Sequence, residues 1–430
     1  MMPSLHPLLV LSLLLLLSSP LGTLADDGQP SSKPIVTTIH KDSSFYTIPV
    51  KDGAPLVLDL AGSLVWTTTC PPSHHRVPCN SSVCHVANRN LPASCASSAN
   101  GGQQPGNSDD PNCACAAYPY NPASGQCGSG DLTAVPLSAN ATDGKSPLFP
   151  VSFSTYVACA PGGLLTSLPP GAAGVAGLSR MPLSLPTQVA KRLKVAKEFA
   201  LCLPGGGETG AAIFGGGPFE LPSFPPGIVN FADAIRRNPT RLLKNPKNGA
   251  YYFGVQGIAV NQVAVPVAAG ALALDRRQGT GGVVFSTVTP YTTLRSDVYL
   301  PLINAFDAAT SGIPRRKPIP PLQLCYESSA FSSTRVGPGV ANIDLMLDGG
   351  RNWTLPGGSS LVQVDGATLC FAFDMMSPEQ SAAANAPAII FGAYQMENNL
   401  MLFDLEKSTF GASGLLSGMR TGCYNFASMG

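Results

Sequence analysis

The sequence predicts an all-β protein built from two similar lobes, and three observations carry that prediction. Of 430 residues only 12% are charged, while 45 are glycine and 41 proline. Ordinary globular chains carry about a quarter charged residues, so this composition describes short strands joined by many turns. The second observation is a strand plan stated twice. Phe45 to Val50 followed by Leu56 to Asp59 is answered in the second half by Tyr251 to Val260 followed by Gly282 to Ser286. The third is the count of twelve cysteines, an even number that means six disulfides in an oxidising compartment.

Taken in order, residues Met1 to Ala25 read as a secretory signal peptide. Leu8 to Leu17 form its apolar core and Thr23-Leu24-Ala25 a small-residue cleavage site. Secretion to the extracellular space or apoplast is the expectation. Residues 26–217 are then the first lobe and 218–430 the second. Ser44 to Val50 and Leu56 to Asp59 form a hairpin, with Lys51-Asp52-Gly53 as its turn. From Cys70 to Cys127 the chain holds seven cysteines among Ser, Asn, Pro and Gly. Such a segment cannot bury a core of its own, so disulfides must order it.

Strands resume at Leu132 to Leu137 and Leu148 to Cys159, followed by Gly174 to Leu178 and a helix over Thr187 to Lys197. Two further strands, Phe199 to Leu203 and Ala211 to Phe214, close the first half. The Pro/Gly-rich run Gly215 to Gly227 is the connection between lobes. In the second half, Arg295 to Thr310 reads as a helix capped by Ser296, with Val298, Leu302 and Phe306 on one face. Ala388 to Gly392 and Met401 to Leu405 supply the last strands. The later chain has no apolar run long enough to span a bilayer. A net charge of +1 gives no reason to expect nucleic acid or an anionic membrane as partner.

The chemistry concentrates at Ala54 to Trp66. An apolar strand ends in Asp59, and a carboxylate at the tip of a buried strand costs free energy unless neighbours hold it. The order Asp59-Leu60-Ala61-Gly62-Ser63, with Trp66 three residues on, resembles the active-site turn of pepsin-like aspartic proteases. Those enzymes need two carboxylates about 3 Å apart sharing one proton, so that one is base and the other acid. In the second half, Val284 to Leu294 resembles the matching plant protease stretch, and Ser286 stands where the second aspartate belongs. A serine hydroxyl is not acidic in the useful range. Val288 also replaces the turn glycine, and Leu60-Ala61 replace Thr-Gly after Asp59. Asp59 and Ser286 are therefore degenerate dyad positions, the pepsin mechanism is not available, and no catalytic residue is expected.

More closely, the chain resembles the plant TAXI-type xylanase inhibitors, a group that also contains basic globulins and glucanase inhibitors. The stretches that carry the likeness are YTIPVKDGAPLVLDLAGSLVW, GAAGVAGLSR, FALCLPGGG, AAIFGGGP, STVTPYTTLRSDVYLPLINAF and AIIFGAYQMENNLMLFDLEKSTFGAS. They span nearly all of the mature chain. The resemblance implies a bilobal pepsin-like aspartic protease fold with short helices and about six disulfides. It also implies absence of proteolysis, and an antifungal, plant-defence partnership with a microbial glycoside hydrolase, an endo-xylanase above all. In such inhibitors a histidine just before the final Gly-Cys reaches the xylanase carboxylates. Here Met419 and Arg420 stand in that place. A second contact comes from the loop after the second-lobe helix, which here carries Arg315, Arg316 and Lys317; the same basic run equally fits a solvated loop. The resemblance further implies the pairs Cys70–Cys159, Cys202–Cys423 and Cys325–Cys370. Cys79, Cys84, Cys95, Cys113, Cys115 and Cys127 then form a knot within the first lobe.

Other features point less far. Asn80, Asn140 and Asn352 are glycan acceptors expected on surface loops, whereas Pro239 excludes Asn238. His74, His75 and His85 beside Cys79 and Cys84 suggest zinc, but disulfides are the simpler use of those cysteines in a secreted chain, so neither metal nor cofactor is expected. Gly144-Lys145-Ser146 lacks the upstream glycine of a phosphate loop. Two rival functions remain open. One is an enzyme hydrolysing chitin or another cell-wall polysaccharide, with Asp344, Asp348, Asp365 and Asp404 as available acids. The other is a seed-globulin-like ligand-binding or storage protein.

Overall fold

A computed structural model describes residues 33–89, 91, 95, 113–143, 148–383 and 385–429. The signal segment and Gly144-Lys145-Ser146 lie outside the described residues. The architecture is a bilobal pepsin-like β fold, with helices short and peripheral.

The first-half hairpin pairs strand Phe45–Lys51 with strand Ala54–Asp59, Thr47 opposite Val57. Asp52 and Gly53 take φ of 53° and 78°, the two-residue left-handed turn whose twist matches that of paired strands. Strand Ala54–Asp59 then runs parallel to Gly174–Gly177, with Asp59 opposite Gly177. Val65–Thr67 returns antiparallel to that same strand. The second half repeats the arrangement: Val283–Phe285 is parallel to Ile389–Phe391, and Thr292–Leu294 returns antiparallel to it. Two strand-end turns therefore face a common cleft from opposite sides.

The halves are sewn together by a continuous sheet. Strand Glu198–Cys202 pairs with Thr209–Phe214 on one side and with Asn399–Asp404 on the other. At that seam Phe199 and Phe403 stack 4.8 Å apart, with Tyr251 5.1 Å from the Phe403 ring. All three are fully buried, each contributing roughly 2–3 kcal/mol of apolar burial. Two charged links cross the halves nearby. Arg236 holds the buried Glu198 through both nitrogens at 3.0 and 2.5 Å. Glu397 accepts from Lys41 at 2.6 Å and from the Tyr46 hydroxyl at 2.5 Å. Burial pushes the Glu397 carboxyl up from its ordinary value, with Lys41 and Tyr46 opposing.

Six disulfides are formed. Three lie within the cysteine-rich segment, Cys79–Cys113, Cys84–Cys115 and Cys95–Cys127, and Cys70–Cys159 ties its start to the strand Phe149–Cys159. Cys325–Cys370 and Cys202–Cys423 complete the set.

Several elements differ from the sequence expectation for local reasons. The helix expected over residues 187–197 is Leu185–Leu193. Pro186 fits the first turn, where its missing N–H is no loss, and Lys194 ends the helix in a left-handed conformation. In the long helix Ser296–Ala309, Ser296 is inside the first turn and not its cap; Arg295 holds that position and pairs with Asp297 at 2.6 Å. Tyr251 to Val260 is not one strand. It breaks at Gly254, where the Asp348 carboxylate fills the space a side chain would need, and its two pieces join different sheets. The three candidate glycan asparagines are exposed. Asn140 and Asn352, however, lie on strands and not on loops, because their side chains alternate outward from the sheet.

Candidate functional site

The cleft between the two turns is built from Asp59 upward. Leu56, Val57 and Leu58 are fully buried and anchor the strand that carries it. The turn after Asp59 is tight: a side chain at Gly62 would place its first carbon 2.7 Å from the Cα of Gly177. The carboxylate is 3% exposed and accepts a hydrogen bond from the Ala61 N–H at 2.8 Å. Burial in an apolar surround pushes it up to about 6, against the Ala61 and Gly62 amides that pull it down.

Opposite, Ser286 is spoken for locally. Its hydroxyl donates to Thr289 Oγ1 at 2.9 Å and accepts the Thr289 N–H at 3.1 Å. This is a self-contained turn with no acid. The residue that sequence reading passed over is Thr287, fully buried beside it. Its hydroxyl donates to Leu58 O at 2.6 Å and accepts from the Leu60 N–H at 3.3 Å, bridging the two turns. Leu60, at the corresponding first-half position, has no hydroxyl to return the bond, so the bridge is one-sided. Thr287→Val is expected to cost about 2 kcal/mol, because it leaves the buried Leu60 N–H and Leu58 carbonyl without their partner. Urea unfolding of the variant measures it; a loss below about 0.5 kcal/mol would contradict a structural role for the bridge.

Two adjoining cavities of about 370 and 430 Å³ form the cleft, and both reach Asp59, Ala61, Tyr120, Asn248 and Ala250. The first adds Trp66, Met181 and Lys247; the second adds Ser286, Val288, Met376 and Ile390. Trp66 fixes one wall by donating its indole N–H to Tyr120 O at 2.9 Å. Burial, then the nearby Asp59 charge, push the Tyr120 hydroxyl up. Among the described residues, Asp59 is the single carboxylate lining either cavity. The acids considered for polysaccharide hydrolysis lie elsewhere. Asp344 accepts from Thr354 at 2.5 Å, Asp404 accepts the Glu406 and Lys407 amides, Asp365 accepts the Ala367 amide, and Asp348 stands against Gly254.

The candidate partner-binding residues sit outside the cleft lining. Arg315 is bonded to Asp307 at 2.6 Å and lies 4.5 Å over the Tyr326 ring. Arg316 forks onto Glu327 with both contacts at 3.0 Å. Arg315–Arg316 is a short strand, with Arg315 opposite Tyr326 and Arg316 opposite Cys325, and not part of a loop as the sequence suggested. Lys317 follows it and is exposed. Met419 ends the short helical turn Leu416–Met419, and Arg420 follows in a left-handed conformation with φ 57°. Met419 is 43% exposed. Cys79 and Cys84 of the zinc reading are held in disulfides, and His74 faces Pro71 O and Asp131. Among the described residues no cluster of three metal-ligating side chains exists.

A cleft between two equivalent turns in two β lobes, with one turn lacking its acid, defines an aspartic-protease-like protein. The comparisons narrow this further. Residues 46–216 match the family described as xylanase inhibitor N-terminal, and residues 250–413 match xylanase inhibitor C-terminal. The chain is 46% identical to Chitinase CLP of Oryza sativa subsp. japonica, over 98% of each chain. It is 31% identical to Probable aspartic proteinase GIP2 of Nicotiana benthamiana, over 98% of this chain and 97% of that one. The crystal structure of edgp matches with a TM-score of 0.79 at 28% identity, covering 93% of this chain and 99% of that one. The chain belongs to the xylanase-inhibitor family of aspartic-protease-like proteins.

Proposed function

We propose that this chain is a secreted, proteolytically inactive plant defence protein that binds and inhibits a microbial glycoside hydrolase, first of all an endo-xylanase. One observation carries the reading: Ser286 closes a turn with Thr289 where the second catalytic carboxylate would stand. With the ancestral chemistry gone, the rigid scaffold is left to present surface loops, and preorganised loops bind with a smaller entropy cost. The family description points to xylanases as targets. Purified protein titrated against a panel of fungal and bacterial endo-xylanases is expected to suppress at least one at micromolar concentration. Full activity of every member would overturn the xylanase assignment. Cleavage of unfolded protein at acid pH would overturn the inactive-protease part.

A second reading, chitin hydrolysis, is favoured by the name of the 46%-identical rice relative. Glycoside hydrolysis needs two carboxyl groups about 5–10 Å apart across the sugar. Among the described residues the cleft lining contributes Asp59 alone. Release of reducing ends from chitin by the purified protein, abolished in Asp59→Asn or in a variant of another acid, is the result that would establish it.

A further inference from the structure

We propose that two adjoining basic turns at the rim of the cleft bind an acidic polysaccharide, a chain of uronic acid units whose carboxylates meet four exposed cations. The proposal goes beyond the hydrolase reading and stands whether or not a hydrolase is inhibited. The first turn, residues 244–249, carries Lys244 and Lys247, and the second, residues 275–280, carries Arg276 and Arg277. All four are exposed. On these turns they face one carboxylate, Asp275, whereas the whole chain sets 26 Lys and Arg against 25 Asp and Glu. The cations are therefore concentrated locally. Among the described residues none of the four forms an ion pair.

The two turns are tied to each other. Asn245 Nδ2 donates to Gly279 O at 2.9 Å, and Asn245 Oδ1 accepts the Lys247 N–H at 2.8 Å. A side chain at Gly279 would place its first carbon 2.8 Å from Lys247 Cγ, so the lysine stem lies directly against the second turn. That turn is closed by its own backbone. The Gly279 N–H donates to Asp275 O at 2.8 Å and the Asp275 N–H to Thr280 O at 2.9 Å. The Asp275 carboxylate accepts the Arg277 and Gln278 amides at 2.7 and 3.0 Å. The Gln278 amide, then the Arg277 amide, hold it below its ordinary value. The acid thus serves the turn, and the four cations are left on a fixed platform.

The surroundings decide which polyanion fits. Among the described residues the exposed large apolar side chains lie on other segments. The patch therefore offers no wedge for a bilayer and no ring on which a base could stack. A single compact anion is held by donors that converge in a pocket, but these side chains stand in solvent on two turns. That layout suits a polymer with one carboxylate per ring, met by a guanidinium fork or an ammonium at each step. The neighbouring cavity extends the match. Lys247 also lines the space of about 370 Å³ beside Tyr120 and Asn248, and an aromatic ring with a nearby amide receives a sugar ring and its hydroxyls. A chain anchored on the patch can continue into the cleft.

The test is titration calorimetry of the full chain with a soluble polygalacturonate oligomer at low and high salt. Wild type is compared with Lys244→Glu/Lys247→Glu, with Arg276→Glu/Arg277→Glu and with the control Lys191→Glu/Arg335→Glu. The control reverses two exposed cations on other elements and lowers the overall charge equally. Wild type is expected to bind at low salt and to weaken as salt rises. Each patch variant should lose about tenfold or more in affinity, and the control less than about threefold. No binding by wild type, or equal binding by the patch variants, would overturn the proposal. Equal affinity for duplex DNA or for phosphatidylserine vesicles would overturn it as well, by making the patch a general polyanion surface. Inhibition of the hydrolase panel is read separately, so failure of one reading leaves the other standing. Circular dichroism and melting curves establish that each variant is folded. A pair that fails to fold is replaced by Lys244→Gln/Lys247→Gln or Arg276→Gln/Arg277→Gln, read against the same outcomes.

Discussion

Replacing Cys202 and Cys423 together by alanine is expected to lower the unfolding free energy by about 5 kcal/mol. The bridge joins residues 221 apart, and closing so long a loop removes much of the entropy of the unfolded chain. Both sulfurs are fully buried, so alanine leaves no unsatisfied polar group. The Cys325–Cys370 bridge, separated by 45 residues, is worth about 4 kcal/mol on the same account. Urea unfolding of both double variants under oxidising conditions measures the two. The Cys202/Cys423 variant has a second expected consequence. Without the bridge, the turn around Cys423 keeps the Thr421, Asn425, Phe224 and Leu416 hydrogen bonds and the packing of Leu416 and Phe426. Protease nicking within residues 416–429 should then increase sharply, while the Cys325/Cys370 variant should not change there. Equal stability losses with no change in nicking would show that the tail is fixed by packing and not by the bridge.

Asp59→Asn is expected to stabilise the protein by about 3 kcal/mol at pH 7 and by almost nothing near pH 3.5. Burial raises the folded-state value from 3.8 to about 6. A raised carboxyl favours folding while it is protonated. Below its unfolded value Asp59 is neutral in both states and there is no penalty. As pH climbs from about 4 to 6 the unfolded chain ionises first, and wild-type stability falls. Above about 6 the deficit is constant, and the interval between the two values corresponds to about 3 kcal/mol. Asparagine keeps the Ala61 hydrogen bond through its oxygen and cannot ionise. Denaturation midpoints of both proteins from pH 3 to 8 measure the divergence. Parallel curves would mean that Asp59 is held charged by a group other than the two turn amides.

How much of this was legible in advance depends on the range over which each signal acts. Asp59 and Ser286 were readable because residue identity alone decides whether a group can ionise. Asp52-Gly53 was readable because a primed turn is chosen by its own two residues. Ser296 was misplaced by one position, since the Arg295–Asp297 pair takes over the helix start. Thr287 went unnoticed because its partners, Leu58 and Leu60, are more than 220 residues away. Phe224-Pro225-Pro226-Gly227 read simply as a connection, and nothing local says that its apolar residues face solvent.

By itself, then, the sequence determined the strand-and-turn grammar, the doubled plan, the missing second acid and the number of cysteines available to pair. These follow from periodicity, composition and the chemistry of single side chains. Only the tertiary structure decided that Ser286 is sealed into its own turn, that one threonine bridges the two halves, and that the connection between lobes is hydrogen-bonded to the C-terminal turn. Those are contacts between distant segments, set by how two lobes pack around a shared sheet, and no local pattern in the chain encodes them.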